Sequence, residues 1–140
     1  MKQKNKQIGS RPSGYYYYAA GATTAIAGIL HLILFSNGLG RGISEVGIFF
    51  LISGLIQLFW AVPVVKRWGR TWYYIGIGGT IILIILWGIT RAPNPLTHGR
   101  ALSINSMSVV TELFEFAFIG LLAIVIWKER RSRLPEIKHN

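Results

Sequence analysis

The sequence predicts an all-α protein, an integral membrane four-helix transmembrane bundle, and three observations support this fold class. The apolar residues fall in four long blocks. Charged residues make up only 14% of the chain and gather at the ends of those blocks. Lys and Arg outnumber Asp and Glu by 15 to 5. A nucleic-acid-binding protein would place its basic residues along one face, so no nucleic acid partner is expected. With no cysteine, disulfides and thiolate chemistry are excluded.

The four apolar blocks cover about residues 15–36, 43–65, 72–90 and 104–127. Each is close to the ~20 residues that a helix needs to cross a hydrocarbon core of ~30 Å. Helices are required because lipid offers no partner for backbone N–H and C=O groups. The sequence therefore predicts one transmembrane domain over residues 15–127, with the lipid bilayer as its main surrounding.

Short polar connections separate the predicted spans. The first, "NGLGRG", has the glycines of a turn, and the second is "KRWGR". The third, "RAPNPLTHGRALS", is the longest, and its Pro93 should end the third span because proline opposes helix.

The distribution of basic residues predicts the orientation. With four spans, the polar tails, residues 1–14 and 128–140, lie on the same side as the second connection. Every Lys and Arg except Arg41, Arg91 and Arg100 falls on that side. Loops rich in Lys and Arg stay in the cytoplasm. We therefore expect a multi-pass protein of the cell (plasma) membrane with cytoplasmic termini.

Polar residues of the spans recur at helical spacing and should face the bundle interior. His31 follows a face of small residues in the first span, and Gln57 follows a similar face in the second. In the fourth span, one stripe contains Asn105, Ser108, Thr111, Glu112 and Glu115. Counting a helical rise of ~1.5 Å per residue from the outer end of each span places His31, Glu112 and Glu115 in the outer half of the bundle.

Glu112 and Glu115 are the strongest candidates for a functional site. Two carboxylates in hydrocarbon are costly, so we expect a protonated carboxyl, a bound cation, or an Arg or His partner. The functional interpretation is a proton or divalent metal site, with His31 as a third ligand or proton carrier. The structural alternative pairs one glutamate with Arg91 or His31. His31 alone could equally be a hydrogen-bonded packing residue.

Four further residues could support this site: Arg91, Gln57, Glu45 and Ser108. Three of them have a structural explanation as well. Glu45 and Arg91 complement helix dipoles at the ends of spans two and three. Gln57 would make interhelical hydrogen bonds. His98, in the third connection, is expected to be a solvated loop residue rather than a ligand.

The stretches "QLFWAVPVVKRWGR", "LWGITRAPNPL" and "TELFEF", with "LHL" around His31, resemble a loose group of uncharacterised small four-span prokaryotic integral membrane proteins. The resemblance implies that His31, Gln57, Trp87, Arg91 and Glu112 or Glu115 belong together. It implies no activity.

Three functions remain open from the residues. The first is a membrane protein, alone or as a small homo-oligomer, that binds or moves a proton or metal ion at the outer polar site. The second is an accessory subunit of a larger membrane complex, because the chain has little mass outside its spans. The third is a membrane enzyme whose activity would need Glu112 or Glu115. The sequence has no aspartate and no catalytic triad or cofactor fingerprint, so an enzyme acting alone is not expected.

Overall fold

A computed structural model describes residues 12–41 and 44–133. The chain is all-helical over these residues, and all four long helices are long and apolar enough to span a membrane. The predicted tails therefore lie largely outside the described residues, as does Ile43 at the predicted start of the second span. The helices are α1 (Gly14–Gly38), α2 (Glu45–Val65), α3 (Arg70–Ile89) and α4 (Ser106–Arg131).

Polar side chains fix where three of the helices begin. Ser13 caps α1 by accepting from the backbone of Tyr15, and Ser44 caps α2 by accepting from Gly47. Asn105 and Ser108 form a reciprocal capping box at the start of α4. Such caps satisfy backbone N–H groups that have no partner inside the helix. Ser108 therefore has a structural role at the helix terminus.

The closest helix pair is α1 with α2, and small residues permit it. A Cβ atom on Gly28 would lie 2.8 Å from the carbonyl oxygen of Gly54, and a Cβ on Gly54 would lie 2.8 Å from that of Gly28. Thr24 also donates to the carbonyl of Gln57 at 3.3 Å. In lipid no hydrophobic driving force brings helices together, so close backbone packing of this kind holds α1 against α2 instead.

One end of the bundle, called here the basic end, carries Arg67, Arg70 and Lys128. Tyr17 Oη donates to Glu129 at 2.6 Å, and Arg70 Nε donates to the same carboxylate at 3.2 Å. These bonds join α1, α3 and α4. A buried, largely apolar cluster adjoins these bonds and is called here the apolar cluster. Its members are Tyr17, Ala20, Val64, Tyr73, Phe118, Leu122, Val125 and Ile126.

Helix α3 is the least enclosed of the four, and it makes few contacts with α2. Of the three glycines in "GIGG", only Gly76 packs closely, against Trp60. At Gly78 and Gly79, an added Cβ would meet nothing within 4 Å among the described residues. The gap between α2 and α3 is where the cavities described below lie.

Candidate functional site

The most deeply buried carboxyl group belongs to Glu115, whose residue is 1% exposed in the middle of α4. Gln57 Nε2 of α2 donates to Glu115 Oε1 at 2.6 Å. His31 Nε2 of α1 lies 3.9 Å from the same oxygen. Three helices therefore bring one imidazole, one amide and one carboxyl group together, and this group is called here the Glu115 site.

The hydrogen bonding of His31 defines its tautomer. Its Nδ1 lies 3.0 Å from the carbonyl oxygen of Ala27, one turn earlier in α1. A carbonyl oxygen can only accept, so Nδ1 must carry a proton. Nε2 is then the nitrogen that gains or loses a proton, and it is the nitrogen that faces Glu115. His31 and Glu115 can then share one further proton, which resides either on His31 Nε2 or on the carboxyl group of Glu115.

Glu112 is also buried, at 7% exposure, but it does not join the Glu115 site. Its Oε2 has no hydrogen-bond partner among the described residues. Within residues 12–41 and 44–133, no three His, Asp or Glu side chains lie close enough together to hold a metal ion.

A cavity of about 320 Å³ lies between α2 and α3, away from the basic end, and is called here the Glu112 cavity. Its polar lining includes His31, Glu112, Arg91 and Trp87. Most of its remaining wall is apolar and comes from side chains such as Phe49, Phe50, Leu83 and Leu86.

Pairing of Arg91 with a glutamate was one alternative from the sequence, but the hydrogen bonds of Arg91 go to other partners. Its Nη1 donates to the carbonyl oxygens of Leu102 and Ser103 at 3.1 and 2.6 Å. Its guanidinium carbon lies 4.8 Å from the ring centre of Trp87. Burial lowers the pKa of Arg91, and the nearby charge of Glu112 opposes that shift. Arg91 thus holds the last part of the α3–α4 loop in place while sharing a cavity wall with Glu112.

A second cavity, of about 250 Å³, lies nearer the middle of the bundle and is lined by Gln57, Trp60, Thr80 and Phe118, among others. It is called here the Gln57 cavity. Leu83 lines both cavities. Glu115 is therefore in contact with one residue of each cavity wall, His31 on one side and Gln57 on the other.

The other predicted supporting residues lie outside the Glu115 site. Glu45 Oε2 pairs with His98 Nε2 at 3.2 Å, with both side chains about three-quarters exposed. His98 therefore links the α3–α4 loop to the start of α2, a contact that its sequence position did not predict. Ser108 belongs to the cap of α4.

Sequence reasoning missed the Tyr17–Glu129–Arg70 network at the basic end. One signal was present, since Glu129 is the lone acidic residue within "WKERRSR". The sequence named Trp87 only through the resemblance, and it gave no sign that the indole Nε1 would be a buried donor without a partner in the described residues.

No family model, curated protein or solved structure matches this chain.

Proposed function

We propose that this chain is an integral membrane protein that binds and releases a proton at the Glu115 site, through the His31–Glu115 pair. The observation that carries the proposal is the approach of His31 Nε2 to Glu115 Oε1, 3.9 Å apart and both buried. A buried carboxyl group beside a buried imidazole is a constellation that can hold one proton in two positions. Ionisable residues inside a membrane mark proton or ion pathways by default.

The surroundings favour proton exchange from one side. His31 lines the Glu112 cavity, so a proton can reach Nε2 from there. Toward the basic end, the side chains that follow Glu115 on the buried face of α4 are Phe118 and Leu122. They belong to the apolar cluster, so the next buried positions of α4 supply no side chain that could relay a proton. The proposal is a proton-binding site with one access, rather than a continuous proton pore.

Infrared difference spectroscopy of the protein in liposomes tests this function. As pH is raised in steps, the carbonyl band of a protonated carboxyl group should disappear and a carboxylate band should grow. Glu115→Gln should remove this change, whereas Glu45→Gln, the same substitution at an exposed site, should leave it. His31→Phe should shift the pH midpoint of the infrared change, because the imidazole, the second position for the proton, is lost. A pH-dependent band that survives unchanged in folded Glu115→Gln would contradict the proposal.

We also propose that the basic end faces the cytoplasm of the cell membrane, which puts the Glu112 cavity in the outer half of the bundle. The support is the concentration of Lys and Arg at that end. The chain contains no cysteine, so single cysteines can report orientation. In intact cells, a membrane-impermeant maleimide should label Glu45→Cys but not Ser132→Cys. Labelling of Ser132→Cys alone would reverse the assignment.

A second candidate function is an accessory subunit, and helix α3 favours it. An added Cβ at Gly78 or Gly88 would meet nothing within 4 Å among the described residues, so this face could receive another helix. Gentle extraction should then recover partner chains at fixed stoichiometry, and Gly78→Val should reduce that recovery. Recovery of the lone chain would count against the subunit role.

A further inference from the structure

The Glu112 cavity contains buried polar atoms that this chain leaves without partners. Glu112 Oε2, Trp87 Nε1 and Arg91 Nε have no hydrogen-bond partner among the described residues. All three residues line the same cavity. An unsatisfied buried polar atom costs about 1–3 kcal/mol, so such atoms are rare without a reason. Three of them at one cavity indicate a binding site for a polar group.

The rest of the cavity is suited to an apolar molecule. Phe49, Phe50, Leu83, Leu86 and Leu102 contribute to its wall. Its volume of about 320 Å³ falls within the range of small-molecule sites. Because α2 and α3 make few contacts with each other, the cavity lies where a molecule dissolved in the bilayer can approach.

We propose that the Glu112 cavity binds an uncharged lipophilic molecule that carries a hydroxyl group. A hydroxyl both accepts and donates hydrogen bonds. It can accept from the Trp87 indole or the Arg91 Nε–H and donate to Glu112 Oε2, while its hydrocarbon part lies against the phenylalanine and leucine side chains. A pure hydrocarbon would leave the three polar atoms unpaired, and a carboxylate would meet the carboxyl group of Glu112.

This inference goes beyond the proton site and does not depend on it. The polar contacts come from Glu112, Trp87 and Arg91, whereas the proposed proton function rests on Glu115 and His31. Failure of either proposal would leave the other standing.

The test uses the full chain in lipid nanodiscs with ¹⁵N-labelled tryptophan. The probes are octan-1-ol, octane and octanoate, which share one chain length and differ in the head group. Trp87→Phe assigns the Trp87 indole N–H resonance. Octan-1-ol should shift this resonance saturably, and the other two probes should not. The Trp60 indole is the internal control, because it already donates to the carbonyl of Trp72 at 3.1 Å and lines the other cavity.

Glu112→Leu should weaken octan-1-ol binding about 5- to 10-fold, the loss of roughly one hydrogen bond. An unchanged Trp60 resonance shows that this variant is folded. If Glu112→Leu does not fold, Glu112→Gln replaces it, and its altered head-group preference is measured with the same three probes. The inference is overturned if octane shifts Trp87 as strongly as octan-1-ol. It is also overturned if the alcohol shifts Trp60 equally, or if substitution of Glu112 leaves both affinity and preference unchanged.

Discussion

Gly28→Val should lower the free energy of unfolding of the bundle by about 2–3 kcal/mol. A Cβ at this position would lie 2.8 Å from the carbonyl oxygen of Gly54. That neighbour is backbone, so α1 and α2 must separate to accommodate the side chain. Separation would also weaken the bond from Thr24 to the carbonyl of Gln57. Reversible unfolding by SDS in mixed micelles, followed by circular dichroism, measures the change.

Gly88→Val is the matched control for this substitution. A Cβ there would meet nothing within 4 Å in the described part of the chain. Valine has a slightly better helix propensity than glycine, so we expect a change of no more than about 0.5 kcal/mol. Equal damage from both substitutions would mean that valine acts through the helix itself and not through the α1–α2 contact.

Gln57→Leu should lower the free energy of unfolding by about 2 kcal/mol. Leucine is similar in size but cannot donate to Glu115 Oε1, so the buried carboxyl group loses its 2.6 Å hydrogen bond, the one that the described residues give it. The same unfolding experiment in mixed micelles measures this loss.

A double-mutant cycle separates the hydrogen bond from general packing. The pair Gln57→Leu and Glu115→Leu should cost less than the sum of the single changes, with a coupling of about 1 kcal/mol. Strict additivity would show that the 2.6 Å contact contributes nothing to stability. The cycle measures stability, and the infrared titration measures protonation. The hydrogen bond to Glu115 can therefore stabilise the bundle even if Glu115 exchanges no proton, and the reverse can also hold.

The four helices follow from the sequence because their physical cause is local. Blocks of about 20 apolar residues can satisfy their backbone in lipid only as helices. The inward face of α1 was also predictable, because small residues at i, i+3 and i+4 lead directly to His31. The structure buries that whole face: Ala20, Thr24, Ala27, Gly28 and His31.

The division of the two glutamates between separate environments was not predictable. Residues three apart on a helix differ by about 60° in direction, because the helix turns by 100° per residue. That angle lets Glu115 reach Gln57 and His31 while Glu112 lines the neighbouring cavity. Whether the two glutamates share one environment or occupy two depends on the separation of α2 and α3, and no local sequence pattern determines that separation.

The hydrogen-bond partners of Arg91 were also not predictable from the sequence. Its charge suggested a carboxylate partner, yet its closest partners are the carbonyl oxygens of Leu102 and Ser103. Backbone acceptors occur at every residue and therefore leave no signal in the sequence. Only the path of the α3–α4 loop decides which of them a half-buried arginine will meet.

The depth of Glu115 has an electrical consequence. It stands nine residues after Ser106, the first residue of α4, which is about 14 Å at ~1.5 Å per residue and roughly half of a ~30 Å core. If access is from one side only, as proposed, a proton bound there crosses about half of the membrane potential. Each 100 mV would then change its binding free energy by about 1 kcal/mol. A voltage imposed across the liposomes should therefore move the midpoint of the infrared titration, which makes occupancy of Glu115 a readout of membrane potential as well as of pH.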